Sequence, residues 1–171
     1  MLYVIDTNVL ITARDQYYGF DQVPEFWDWL LYQAKAKNIG VPREALDEIL
    51  DGKPHHGKDL LYEWARSKDN EPILDLGAAN IDLVQHVLEH GYSSNLTEDQ
   101  VSALRADPFI VAHGLADPAG RCVVSNENPK PTRQPRNRKI PDVCAKLNVR
   151  CVPATTFIRL MKFSTKWKSE P

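Results

Sequence analysis

Five carboxylates sit where a folded chain can gather them: Asp6, Glu48, Asp107, Glu127 and Asp142. Asp6 ends the apolar run Leu2-Tyr3-Val4-Ile5, and Glu127 follows another, Cys122-Val123-Val124. Glu48 lies on a helical pattern, and Asp107 stands before Pro108. Carboxylate oxygens are hard ligands of the kind Mg²⁺ and Mn²⁺ prefer. Two such ions activate a water and stabilise the leaving oxygen of a phosphodiester. Each acid also has a plain structural reading. Asp6 or Thr7 can cap the next helix, and Asp107 is a natural N-cap with Pro108 at the first helical position. Glu44, Asp47, Glu48 and Asp51 form an acidic helical face, usually just solvated, although four crowded acids repel and a nearby cation would relieve them. Spacing alone does not bring the five acids to one point.

The second chemical feature is positive. Residues 130 to 139 contain Lys130, Arg133, Arg136, Arg138 and Lys139, with prolines between them and no acid. Such a stretch reads as an exposed loop, either simply solvated or, beside an acid cluster, able to hold phosphates. Histidines give no comparable signal. His55 and His56 are adjacent in a turn around Pro54 and Gly57, which reads as a solvent-exposed loop, and His86, His90 and His113 are scattered.

The elements that must position these groups follow from periodicity. Leu2 to Ile5 reads as a strand buried on both faces, opening a sheet whose ligands bind outside the strand ends. Asn8 to about Asp15 reads as a short helix, and Gln16 to Val23 as an aromatic loop. Pro24 opens a helix whose Phe26, Trp27, Leu30, Leu31 and Ala34 form one apolar stripe, more simply core than a base-stacking platform. Asn38 to Val41 is a brief strand, and Pro42 begins a helix ended by Asp51-Gly52. Lys58 to Ser67 and Ala78 to His90 read as amphipathic helices that cover the sheet, joined by a loop at Pro72, with Gly91 ending the second. Thr97 and Gln100 form a capping box for a helix through Leu104. Helices are further expected from Asp107 to about Ala116, Val143 to Leu147 and Thr156 to Phe163, and strands over Arg121 to Ser125 and Val149 to Val152. Ser164 to Pro171 reads as a frayed polar tail.

With 171 residues, 43% hydrophobic and 26% charged, the chain suits one domain with a real core. Its formal net charge of -2 names no polyanionic partner, so any nucleic-acid surface must be local. Cys122, Cys144 and Cys151 lack a paired metal spacing and read as reduced thiols of a cytoplasmic protein. No apolar run approaches membrane-spanning length.

Ile5-Asp6-Thr7-Asn8-Val9-Leu10 resembles the opening motif of the PIN domain, the nuclease domain of many toxin–antitoxin ribonucleases. Val41-Pro42 with Glu48-Ile49 is similar to that family's proline-initiated helix and its Glu. Asp107-Pro108-Phe109-Ile110-Val111-Ala112 resembles its helix-opening Asp, and Val123-Val124-Ser125-Asn126-Glu127 its strand ending in Thr-x-Asp. Trp27-Asp28-Trp29-Leu30 and Lys139-Ile140-Pro141-Asp142-Val143-Cys144 look like an uncharacterised PIN-like family, DUF4411. The resemblance runs from Tyr3 to about Leu160. Glu127 stands in place of the usual Asp and Ser125 in place of the usual Thr.

The resemblance implies one α/β domain over residues 1–163, a central mostly parallel sheet flanked by helices, followed by a tail at 164–171. It implies a Mg²⁺- or Mn²⁺-dependent endoribonuclease, the toxin of a type II pair with a cognate antitoxin and a possible homodimer. Asp6, Glu48, Asp107 and Glu127 would hold the metal, with Thr7 or Asn8 hydrogen-bonding the cluster. Asp142 competes with Glu127 as fourth acid, and Glu44 with Glu48. Lys130, Arg133, Arg136, Arg138 and Lys139 would contact RNA phosphates. The rival reading is a catalytically weak RNA- or protein-binding module of the same fold. A phosphatase or phosphotransferase of the haloacid-dehalogenase type also opens with a strand ending in Asp, but usually needs a second Asp where Asn8 stands.

Overall fold

The structure is a computed structural model that describes residues 1–51 and 59–169. The expected loop at His55 and His56 lies outside the described residues. Four parallel strands form one sheet in the order β2-β1-β3-β4: β1 (Leu2–Ile5), β2 (Ile39–Gly40), β3 (Arg121–Val124) and β4 (Cys151–Val152). Chain order reverses between β1 and β3, which makes their carboxyl ends the switch point where open α/β sheets bind ligands. β1 pairs with β3 from Leu2–Arg121 to Ile5–Val124, so Asp6 and Ser125 leave the sheet side by side. Buried strands explain why the sequence runs are continuously apolar: Val4, Ile5, Val123 and Val124 are all at most 1% exposed.

Helices fill the connections. α1 (Thr7–Thr12) is followed by a wider turn, Ala13–Tyr17, so the helical segment takes in Gln16 and Tyr17, which read as loop in the sequence. α2 (Pro24–Lys35) buries Phe26, Trp27, Trp29, Leu30 and Ala34. It packs beside β2, and Trp29 meets Phe157, which stands edge-on to Tyr3 of β1 with ring centres 5.0 Å apart. The aromatic stripe is therefore core. α3 (Arg43–Asp51) packs on α1, and α4 (Leu60–Ala65), capped by Asp59, packs on α3.

α5 (Glu71–Leu74) replaces the loop expected at Pro72, because proline is already set for a first helical turn. α6 (Ile81–His86) continues as a wider turn, Val87–Tyr92, that runs through Gly91 rather than ending there. A side chain at Gly91 would place its Cβ 2.6 Å from Val143, so this glycine permits close approach. α7 (Glu98–Ala103) carries the expected capping box. α8 (Asp107–Leu115) lies against β1 and β3. α9 (Ile140–Lys146) lies against β4, which is shorter than expected because the Val149 N–H closes α9 on Cys144 O at 2.8 Å. α10 (Ala154–Leu160) starts two residues early, behind Pro153, with its first N–H held by Asn126 Oδ1 at 3.1 Å.

Beyond α10 the tail is docked rather than frayed, as far as Ser169. Trp167 donates to Glu25 O at 3.1 Å and packs on Tyr32. The three cysteines are free, with Cys122 and Cys144 buried. Among the described residues no helix is long and apolar enough to cross a membrane.

Candidate active site

The carboxyl ends of β1 and β3 are tied by a polar network. Asp6 is 4% exposed. Its Oδ2 accepts from Ser125 Oγ at 2.7 Å and from the Asn8 side-chain amide, and its Oδ1 from the Asn8 N–H at 3.3 Å. Asn8 Oδ1 in turn accepts the Asn126 N–H at 3.0 Å, and Ser125 Oγ accepts the Glu127 N–H at 3.2 Å. Asp6 thus caps α1, as its structural reading requires, and still lies in the field of Glu127 and Glu48. Thr7 turns away from the cluster. Its hydroxyl donates to Ala45 O at 3.0 Å and ties α1 to α3. Ser125 and Asn126 are the partners that residue types alone do not single out; the signal is their place one strand over from Asp6.

Asp107 does not cap α8. It is the first helical residue, and Ala106 takes the cap position. The Ala106 N–H is satisfied from across the cleft by Glu48 Oε1 at 3.1 Å. No hydrogen bond reaches the Asp107 carboxylate among the described residues. Burial pushes its pKa up to about 8, and the charges of Glu127, Asp6 and Glu48 add to the rise while Lys139 opposes it. Burial likewise pushes Asp6 up to about 6 against the pull of Ser125 and Asn8, with Glu127 and Glu48 raising it further. Asp6, Glu48, Asp107 and Glu127 therefore share one field. Of the α3 acids, Glu48 acts on Asp6 and Asp107, whereas Glu44 acts on His113.

Glu127 differs from the other three. Its Oε1 is ion-paired with Lys139, and its Oε2 accepts the Ile140 N–H at 2.9 Å. Asp142, the competing acid, accepts the Lys130 N–H at 2.8 Å and closes the basic loop. Within that loop Arg138 is engaged by backbone: its Nη1 donates to Gly91 O at 2.7 Å and Tyr92 O at 3.3 Å. Lys130, Arg133 and Arg136 are exposed. Arg133, Arg136 and Lys139 line a cavity of about 280 Å³ together with Asp107, so the loop borders the acid cluster. Glu44, Asp47, Glu48 and Asp51 line a neighbouring groove of about 420 Å³.

As they stand, no three acid, histidine or cysteine side chains among the described residues enclose an ion. Donor chemistry nonetheless suits a hard cation at Asp6, Glu48 and Asp107, carboxylates from separate elements, with the Glu48 charge raising the pKa of both Asp6 and Asp107. A further observation agrees. Tyr92 is 1% exposed, and its buried hydroxyl has no partner. Burial drives its pKa far upward, and the charges of Asp107, Glu127, Cys144 and Asp6 add to this, so the hydroxyl lies within the field of the acids. A buried hydroxyl without a partner costs about 1–3 kcal/mol, and a hydrated cation at the acids would satisfy it. Nothing in the sequence distinguishes Tyr92.

A model of the protein family described as "Domain of unknown function (DUF4411)" matches residues 3–165. No curated protein and no solved structure matches the chain.

Proposed function

The chain belongs to the DUF4411 family, and from that premise we propose that it is a Mg²⁺- or Mn²⁺-dependent endoribonuclease with a PIN-like site. The observation that carries this reading is the shared field of Asp6, Glu48 and Asp107, delivered by β1, α3 and α8 to the switch point of a parallel sheet. When bound, the ion supplies a water of lowered pKa and neutralises the leaving oxygen. Asp6, locked by Ser125 and Asn8, keeps one carboxylate fixed in the cleft. Glu48 commits Oε1 to Ala106, which leaves its other oxygen for the ion. Asp107, free of any capping bond, is the most available donor. The exposed Arg133 and Arg136 border the cleft, and with Lys130 on the same loop they attract the phosphates of a single strand. The role of toxin, neutralised by an antitoxin protein, rests on the resemblance of the motifs.

The test is cleavage of a fluorescent single-stranded RNA. Activity should vanish with EDTA and return with Mn²⁺, and Asp107→Asn should lower kcat by about a hundredfold or more, on the order of 3 kcal/mol of lost stabilisation. The engagement of both Glu127 oxygens favours a second reading, a binding module with weak catalysis. RNA binding that persists in EDTA, with no cleavage in Mn²⁺, would establish that module and remove the nuclease.

A further inference from the structure

Lys139 ends the basic loop and immediately precedes α9, and its backbone is fixed there. Its carbonyl accepts the N–H groups of Asp142 at 2.9 Å and Val143 at 3.0 Å. The side chain therefore starts from a rigid point and reaches Glu127 Oε1. Glu127 is pinned on its other oxygen by the next backbone amide, Ile140. The pair is sheltered, with 32% of the Lys139 side chain and 16% of the Glu127 side chain exposed. Such a pair is less screened than one on the open surface. The ammonium also reaches Asp107 electrostatically and opposes the rise of its pKa. The buried Tyr92 hydroxyl, in the field of the same acids, has no hydrogen-bond partner among the described residues, which marks a polar group still to be satisfied there.

We infer that Lys139 is a resident cation of the site: its ammonium fills the place beside Glu127 that a second divalent ion would take, so the chain binds one such ion, at Asp6, Glu48 and Asp107. The inference rests on the metal reading proposed above. A second ion at Glu127 would meet an ammonium at contact distance in a partly buried cleft, where like charges repel far more strongly than in water. Glu127 is thereby a partner of Lys139 and not a ligand of the bound ion. The length of the Glu side chain fits this division, since it carries the carboxylate out to Lys139 and Ile140.

Calorimetric titration of the full chain with MnCl₂, with bound Mn²⁺ counted by electron paramagnetic resonance, tests the assignment without reading activity. The wild type should bind one ion and Lys139→Arg one. Lys139→Gln, which frees the Glu127 carboxylate, should bind two. The neutral double variant Glu127→Gln/Lys139→Gln should bind one ion within about threefold of wild-type affinity, less than 1 kcal/mol. Melting curves check each fold, and Lys139→Met, which keeps the packing of the stem, replaces the Gln variant if that melts early, with the same expected count. Two ions in the wild type, a Lys139→Gln count that stays at one, or a double variant that loses the ion overturns the inference. Two ions in an active wild type would overturn the inference alone, whereas no ion in the wild type would remove the metal reading with it.

Discussion

Asp6 and Asp107 each carry a proton more readily folded than unfolded, because burial and neighbouring acids penalise the charged form. The sign of the consequence is opposite to that of an ordinary paired carboxylate. Below the unfolded value of 3.8 both states are protonated and no penalty exists. As pH rises the unfolded chain releases its protons first. The folded chain holds on until about 6 at Asp6 and about 8 at Asp107, so stability is lost across that window. The metal-free melting temperature should therefore fall from pH 5 to pH 8, and Asp107→Asn should flatten the fall and melt higher than wild type at pH 8. Divalent cations favour the ionised form, so the Mn²⁺-induced rise in melting temperature should be larger at pH 8 than at pH 5.5. A wild-type melting temperature that climbs over this range without metal would show that the acids do not share a field.

At the scale of elements, the site depends on how closely the turn Val87–Tyr92 approaches α9. Gly91 makes that contact: a Cβ there would stand 2.6 Å from Val143, and the Gly91 carbonyl accepts Arg138. Gly91→Ala should overpack the interface and destabilise the chain by about 1–3 kcal/mol, measured by urea unfolding. Because the same turn carries Tyr92, and Lys139 immediately precedes α9, Mn²⁺ affinity should fall as well. Unchanged stability would mean the approach is not needed. Strands β1 and β3 are legible in the sequence because buried parallel strands are continuously apolar, and α2 because its aromatic residues recur on one stripe. Gly91 reads as a helix stop because local rules name it so; its actual role comes from Val143, 52 residues away in the chain. Asp107 followed by Pro108 likewise spells a cap, yet Glu48 reaches across to that N-terminus and leaves Asp107 uncommitted. Lys139 and Arg138 read as free loop cations for the same reason: only the fold shows that Glu127 and the Gly91 carbonyl engage them. Which carboxylates meet is a matter of tertiary placement, open to composition and spacing only through the resemblance of the motifs.

For the whole molecule, the decisive fact is that a slightly acidic chain carries three exposed cations together on one acid-free loop. The net charge is -2, yet Lys130, Arg133 and Arg136 stand exposed on a loop that contains no acid. Arg133 and Arg136 line the cavity that reaches Asp107. Asp142 holds one end of that loop and Arg138 anchors the other to the turn at Gly91 and Tyr92, so the three free cations are presented from a braced support. A strand of RNA led past them brings its next phosphate toward the acids. Each phosphate neutralised releases counterion, with a slope of about -0.7 in log affinity against log salt per contact. Changing Lys130, Arg133 and Arg136 to Gln should flatten the slope by up to about 2 and weaken binding most at low salt. Stability and Mn²⁺ affinity should stay near wild type, since none of the three makes a side-chain hydrogen bond or ion pair among the described residues. Arg138→Gln should behave differently, lowering the melting temperature through its lost bonds to Gly91 and Tyr92 while leaving the slope nearly intact. RNA affinities across a salt series, set beside melting curves for both variants, separate the two roles. Equal slopes in wild type and triple variant would take the loop out of the RNA path and make it a dock for an acidic protein.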